Sequence, residues 1–263
     1  MKILVLGDIH CRNFWRKAIE ENESKVDKVI FLGDYLDPYP EEIKMTPELM
    51  ECESFDDVES NLNMLNDIIS LKKNDYNKYI LLTGNHTDSY IWKNFNSATR
   101  TDYKNYKIYH KFFSENLSLF NLVYIQNNTI FSHAGISNGW AQKVWKNFEY
   151  QNDKFTSIME IASILKDTPL NNFNNSLIND ISDISYYRYG DMFYGSCEWA
   201  DIKEHIDMKK SIDDIIPIGE EGIYQIFGHT QLRHPLINDK WACLDCRKAF
   251  IYDTDTRELI CCK

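Results

Sequence analysis

The sequence predicts an α/β protein built around a mixed sheet, and two observations support this fold class. Short apolar runs of four to six residues, rich in Ile, Val, Leu and Phe, recur along the chain, and most of them end at a glycine. Helical patterns with one apolar face lie between the first of these runs. A strand, helix, strand, helix, strand order at this spacing is typical of a sheet with helices packed on it.

The elements follow from these patterns in chain order. The first helix is predicted over 12–24, with Trp15, Ala18 and Ile19 on one face. The second is predicted over 58–71, with its apolar face formed by Leu62, Leu65, Ile68 and Ile69. The strands are predicted over 2–6, 28–32, 79–83, 129–132 and 223–227, and in the C-terminal third over 241–244, 249–252 and 258–261.

Length and local composition predict a single domain with an insertion. The chain has 263 residues, which is near the upper size for one hydrophobic core. The segment 138–221 is polar and rich in Asn and Asp, with helical patterns at 157–166 and 175–181. We therefore expect one domain over residues 1–263, with an insertion or cap at about 138–221 that covers one edge of the sheet.

Charge and cysteine content exclude several classes of protein. The formal net charge of -11 argues against unspecific binding to nucleic acid or to anionic lipid, because both require a basic surface. The apolar runs are far shorter than the roughly 18 residues that a membrane span requires. Asp8 comes too early for a signal peptide, and the seven cysteines are an odd number. We expect a cytoplasmic protein with reduced thiols and no membrane partner.

Five predicted strands each end in a small residue followed by a side chain that can bind a metal ion or transfer a proton. Ligands bind at the carboxyl ends of strands in open α/β sheets, and glycine permits the tight turn there. Carboxylate, imidazole and amide donors suit Mn²⁺, Fe²⁺ or Zn²⁺ better than Ca²⁺ or Cu⁺. Six such donors fit two ions that share a bridging carboxylate, an arrangement suited to phosphoryl displacement. The six donors are Asp8, His10, Asp34, Asn85, His133 and His229.

The motifs GDIH, GDYLD, GNH, SHAG and GHT resemble the calcineurin-like metallophosphoesterase superfamily, from Gly7 to the strands after His229. Asp37, three residues after Asp34, is similar to the GDxxD pattern of the phosphoprotein phosphatase and diadenosine tetraphosphatase branch. Trp-Ala-Asp at 199–201 and Gly-His-Thr-Gln at 228–231 also resemble that branch. The resemblance implies a four-layer α/β/β/α sandwich of mixed sheets with a partly helical insertion.

The resemblance also implies a role for each motif residue. Asp8 and His10 would bind the first metal, Asp34 would bridge, and the second metal would take Asn85, His133 and His229. His86 matches the histidine that protonates the leaving oxygen, and Asp37 matches the carboxylate that orients it. We expect two divalent ions per chain, manganese ahead of iron, zinc, nickel or cobalt, with a bridging hydroxide as the nucleophile.

The chain departs from the branch where the substrate phosphate should bind. Pro38-Tyr39 replaces an Arg-Gly pair whose arginine grips phosphate, Thr87 (with Asp88 next) replaces a glutamate, and Cys11 replaces a glycine. Arg188 is our first candidate for a replacement phosphate ligand. Arg12 and Arg100 are the next candidates.

Three functions stay open at this point. The first is a phosphatase acting on phosphoprotein or small phosphorylated molecules. The second is a nucleotide pyrophosphohydrolase, phosphodiesterase or nuclease with the same metal centre, although the acidic charge weighs against polynucleotides. The third is a scaffold without catalysis, which the intact set of ligands disfavours. The sequence leaves the substrate, the metals and the oligomeric state undetermined.

Some noticeable residues belong to no motif. Cys243 and Cys246 form C-x-x-C but fit small buried hydrophobic residues better than a zinc half-site. An aromatic cluster is predicted to lie in the core or an interface, with a pocket lining as the alternative; its members are Tyr186, Tyr187, Tyr189, Phe193 and Tyr194. Surface or capping positions are predicted for His110, His205 and His234.

Overall fold

The computed structural model describes residues 1–38, 57–93, 99–146, 157–203 and 222–262. Two compact units are formed, the first by Met1–Phe120 with Cys246–Lys263 and the second by Asn121–Asp245. The helices of the described residues are α1 Phe14–Asn22, α2 Val58–Asn74, α3 Asn85–Trp92, α4 Tyr106–Asn116, α5 Asn138–Trp145, α6 Ile158–Asp167 and α7 Asn175–Ile181. The strands are β1 Lys2–Leu6, β2 Lys28–Phe31, β3 Tyr79–Leu82, β4 Phe120–Asn121, β5 Tyr124–Gln126, β6 Thr129–Phe131, β7 Tyr224–Phe227, β8 Leu236–Ile237, β9 Trp241–Cys243, β10 Ala249–Asp253 and β11 Leu259–Cys261.

The first unit contains a mixed sheet with the order β11-β10-β1-β2-β3-β4. The strands β1, β2 and β3 run parallel, whereas β10 pairs antiparallel with both β1 and β11. Parallel neighbours need crossover connections, and α1 lies in the connection between β1 and β2. Trp15, Ala18 and Ile19 of α1 are buried, as the periodicity predicted. The turns that follow β1, β2 and β3 therefore lie at one edge of this sheet.

The second unit contains a mixed sheet with the order β5-β6-β7-β9-β8. Its centre is parallel, because β7 pairs in parallel with both β6 and β9. Gln225 of β7 is fully buried and its side chain bonds both backbone groups of Ile136, accepting from the N–H at 2.9 Å and donating to the C=O at 3.0 Å. This amide therefore holds the segment that follows β6 against the sheet.

The structure confirms an α/β protein with mixed sheets. Strand β1 matches its predicted bounds, while β2, β3 and β6 each end one residue earlier than predicted, and α2 continues three residues further, to Asn74. Helices α6 and α7 lie within one residue of the predicted patterns. Helices α3, α4 and α5 and strands β4, β5 and β8 were not predicted. The single domain with an insertion at 138–221 stays a prediction, and much of that segment lies outside the described residues.

Residues outside the motifs can now be placed. Cys243 and Cys246 are buried and carry free thiols, as expected for small hydrophobic residues. His234 is exposed and His110 is partly buried, while His205 lies outside the described residues. None of the described helices is long and apolar enough to cross a membrane.

Candidate metal centre

The turns after β1 and β2 have an unusual backbone that brings their motifs together. His10, Asp34 and Asp37 have φ values of 43°, 47° and 59°, a left-handed conformation that is uncommon outside glycine and is found at functional sites. The two turns are joined by hydrogen bonds: the N–H of His10 donates to the Asp34 carbonyl at 2.6 Å, and that of Cys11 donates to the Tyr35 carbonyl at 2.8 Å. The GDIH and GDYLD motifs thus form one interlocked pair.

His10 has the geometry of a metal ligand within this pair. Its Nδ1 donates to the Leu36 carbonyl at 2.8 Å, which leaves the lone pair of the neutral ring on Nε2. Nε2 lies 3.5 Å from Asp34 Oδ2 and 4.0 Å from Asp8 Oδ2. Burial lowers the pKa of His10 well below its usual value, although the Asp34 charge opposes this shift. The ring is therefore neutral and directs a lone pair toward two carboxylates.

His86 lies close to His10 and Asp34. It occupies the first turn of α3, and its N–H donates to Asp34 Oδ1 at 3.0 Å. His10, Asp34 and His86 are all buried, and they offer metal-ligand atoms that lie within 4.8 Å of one another. Asp8 and Asn85, which are close to these residues in the sequence, are also buried. This set of imidazole, carboxylate and amide donors fits a divalent transition-metal ion.

His86 is in contact with Asp37, as the role implied for that pair requires. Nδ1 of His86 lies 3.0 Å from Asp37 Oδ2, which leaves Nε2 for a metal ion or for proton transfer. The second oxygen, Asp37 Oδ1, accepts a hydrogen bond from the Tyr90 hydroxyl at 2.6 Å. Tyr90 was not predicted as part of the site. The signal was present, because His86 and Tyr90 are four residues apart on one helix and so share a face.

The histidines of the second unit are arranged differently. His133 follows β6 and His229 follows β7, and the N–H of Gly228 donates to the His133 carbonyl at 2.7 Å. Nε2 of His133 lies 3.2 Å from Nδ1 of His229, with both rings buried. The edge of the Trp199 indole packs against His229 at a centroid distance of 5.9 Å. Two imidazole nitrogens that face each other can share a proton or bind one ion.

Each of the three candidate phosphate-binding arginines is hydrogen-bonded close to a motif. Arg188 pairs with Asp201 at 2.6 Å and donates from Nη2 to the His229 carbonyl at 3.3 Å and to Thr230 Oγ1 at 3.1 Å.

The other two candidates contact turns of the first unit. Arg12 donates to the Asp8 carbonyl at 3.3 Å. Arg100 donates to the carbonyls of Asp37 and Pro38. Tyr39, the second residue of the replaced Arg-Gly pair, lies outside the described residues. Binding of phosphate by any of these arginines stays a prediction.

The aromatic cluster lies on a loop of the second unit that contains a short 3-10 helix, Tyr186–Arg188, and it is largely exposed. The N–H of Tyr186 donates to the Met192 carbonyl at 2.7 Å, and that of Ser196 donates to the Asp183 carbonyl at 3.0 Å. Tyr186 is 73% exposed, Phe193 is 59% exposed and Tyr189 is fully exposed. These three residues and Tyr187, which is also exposed, therefore do not lie in the core, because the loop turns their rings outward. An interface or a pocket lining stays a prediction for the cluster.

Mixed sheets whose strand ends carry buried histidine and aspartate side chains are typical of α/β proteins that bind a divalent metal ion. The donors in the first unit match this class in chemical type and spacing. The turn hydrogen bonds and buried imidazoles of both units fit the same description.

Comparison with known proteins identifies the family. The family model of the calcineurin-like phosphoesterases matches residues 1–233, so the chain belongs to that family. Membership supports a metal-dependent hydrolase that acts on phosphate esters. A solved structure, a serine/threonine phosphatase from Saccharomyces cerevisiae with similarity to human phosphatase PP5, shares the fold with a TM-score of 0.50 at 12% identity. The match covers 99% of this chain and 78% of that one. No curated protein matches the chain.

Proposed function

We propose that the protein is a two-metal phosphatase that hydrolyses phosphate monoesters of small phosphorylated molecules or of phosphoprotein. The observation that carries the proposal is the buried His10 ring, whose Nε2 lies 3.5 Å from Asp34 Oδ2 and 4.0 Å from Asp8 Oδ2. An imidazole lone pair that converges with two carboxylates is a donor set that a divalent ion fits.

The proposed ligands follow the order of the motifs. Asp8 and His10 would hold one ion, Asn85, His133 and His229 would hold the second, and Asp34 would be the carboxylate that both ions share. Two such ions, when bound, would supply the attacking hydroxide and polarise the phosphate. They would add four positive charges against two carboxylates, those of Asp8 and Asp34, so the site would be positive in a chain of net charge -11. Protein without metal should therefore bind phosphate poorly.

The chain's own residues supply the proton that the departing alcohol needs. The Asp37 carboxylate accepts from Nδ1 of His86 and thereby fixes the orientation of the ring. Nε2 then carries a proton that it donates to the leaving oxygen. General acid catalysis of this kind contributes about 10²–10⁴ in rate. Arg188 would bind phosphate in place of the missing arginine.

The exposed aromatic rings of the loop at 186–193 favour a second function, that of a nucleotide pyrophosphohydrolase. The rings of Tyr186, Tyr189 and Phe193 offer faces on which nucleobases could stack. Tyr189→Ser should raise the KM for a diadenosine polyphosphate several-fold and leave the KM for p-nitrophenyl phosphate unchanged. An equal KM for the dinucleotide in both proteins contradicts this second function.

Replacement of Asp34 tests the proposed phosphatase. Asp34→Asn should abolish manganese-dependent hydrolysis of p-nitrophenyl phosphate, because it removes the bridging charge. Asp67→Asn is the matched control, since Asp67 is an exposed carboxylate paired with Arg16 at 2.6 Å. Full turnover by Asp34→Asn, measured beside that control, contradicts the proposal.

A further inference from the structure

We infer that Tyr90 is a positioning residue for proton transfer: its hydroxyl holds the Asp37 carboxylate so that Asp37 can orient His86. The inference rests on the proposed phosphatase function and deepens it. The observation that carries it is a chain of two hydrogen bonds, from Tyr90 to Asp37 Oδ1 at 2.6 Å and from His86 Nδ1 to Asp37 Oδ2 at 3.0 Å.

The two oxygens of Asp37 are each occupied by one of these donors. A carboxylate bound at a single oxygen can rotate about its χ2 angle, and the imidazole bound to it would follow. A donor on the opposite oxygen opposes that rotation. Asp37 has a left-handed backbone, with φ of 59°, and its carbonyl accepts from Arg100, so its main chain is also held. Tyr90 thus supplies the donor that fixes the side chain.

Tyr90 is itself rigidly held. Its hydroxyl accepts from the N–H of Asp102 at 2.8 Å, and its carbonyl accepts from His110 Nδ1 at 2.7 Å. Its fully buried ring packs against Tyr109 and Phe113 of α4, with centroid distances of 5.3 and 6.1 Å. A donor held on several sides loses little entropy when it binds, so it can impose its geometry on Asp37.

Burial and the Asp37 charge raise the pKa of Tyr90 well above its usual value. The hydroxyl therefore keeps its proton at any pH at which the enzyme would work. Because the Asp102 N–H already donates to the same oxygen, the hydroxyl proton points to Asp37. The direction of the two hydrogen bonds is therefore fixed. Tyr90 and His86 Nδ1 donate, Asp37 accepts from both, and Nε2 of His86 stays available for the leaving oxygen.

The leaving group provides the decisive test. A departing p-nitrophenolate needs little protonation, whereas a departing alkoxide or phenolate needs a proton donor. Tyr90→Phe should therefore lower kcat for phenyl phosphate by about 10- to 100-fold, the usual cost of losing a group that orients a catalytic ligand. It should lower kcat for p-nitrophenyl phosphate by less than about threefold. Equal losses on both substrates would show a merely structural role, and no loss on either would overturn the inference.

Tyr109→Phe is the matched control. Tyr109 is a buried tyrosine whose ring packs against that of Tyr90, and its hydroxyl accepts a hydrogen bond from Asn61 at 3.0 Å. It should keep the wild-type ratio of the two kcat values. A wild-type protein that hydrolyses neither ester contradicts the proposed function rather than the role of Tyr90, so the two failures are distinguishable.

A second measurement needs no turnover. In protein labelled with ¹⁵N-histidine, the Nδ1 proton of His86, assigned by its absence in His86→Asn, should give a slowly exchanging resonance. Tyr90→Phe should broaden it or accelerate its exchange, while Tyr109→Phe should not. An unchanged resonance in Tyr90→Phe overturns the inference even if the protein hydrolyses none of the esters.

Discussion

The two units of the molecule present their histidines in different chemical settings. In the first unit, His10 and His86 each lie within 3.5 Å of a carboxylate oxygen, of Asp34 and Asp37 respectively. In the second unit, His133 and His229 lie 3.2 Å from each other, and Arg188 binds the backbone of the turn that carries His229. The first arrangement places imidazoles beside carboxylates, while the second places two imidazoles beside each other.

The difference indicates that the histidines of the two units have different chemical roles. A carboxylate beside an imidazole fixes its tautomer and raises its basicity, which suits proton transfer and tight cation binding. Two facing imidazoles cannot both carry a proton between them, so either one donates to the other or the pair binds one metal ion. We propose that the first unit supplies acid catalysis and the bridging carboxylate, and that the second supplies imidazole ligands and a phosphate-binding arginine.

The largest expected effect is on proton transfer in the first unit. His86→Asn should lower kcat for phenyl phosphate by about 10²–10⁴-fold, because the leaving oxygen loses its proton donor. Steady-state kinetics measure the effect, with His234→Asn as a control at an exposed histidine. A variant that keeps wild-type kcat would remove acid catalysis from the first unit.

A smaller effect is expected where an arginine holds the turn of the second unit. Arg188→Lys keeps the positive charge but cannot contact Asp201, Thr230 and the His229 carbonyl together, so KM should rise about tenfold. Arg12→Lys in the first unit should change KM less. If Arg12→Lys has the greater effect on KM for p-nitrophenyl phosphate, phosphate binding belongs to the first unit instead.

The smallest effect is on stability. Gln225→Leu leaves the N–H and C=O of Ile136 without their amide partner near the SHAG turn, and it should lower the free energy of unfolding by about 2 kcal/mol. Urea unfolding measures the loss. Gln126→Leu, on the partly exposed strand β5, should change it far less. Equal midpoints for the two variants would show that the amide pair does not hold this turn.

The sequence allowed the strand ends to be predicted, because a glycine that closes an apolar run is a local signal. The contact between His86 and Asp37 was predicted as well, through the resemblance of two motifs. Helix α3 was missed because Thr87, Asp88 and Ser89 are polar and yet buried, so no apolar stripe marks it. Tyr90 was missed with it, since its partnership with His86 depends on helical spacing.

Other features depend on tertiary contacts that leave no pattern in the chain. Arg188 meets Asp201 and the His229 turn only because separate segments converge, 13 and 41 residues apart. The exposure of the Tyr186 and Tyr189 side chains depends on a loop that is closed by backbone hydrogen bonds. Strand β8 has two residues and β5 has three, too few to show alternation.

We propose that one chain holds two divalent ions and that His229 is a ligand of the second ion. Metal analysis by inductively coupled plasma mass spectrometry, after incubation with manganese and removal of excess, tests this claim most directly. The wild-type protein should hold about two ions per chain, and His229→Ala about one, because a single ligand set remains. A wild-type protein that holds well under two ions per chain would contradict the account and favour a scaffold without catalysis.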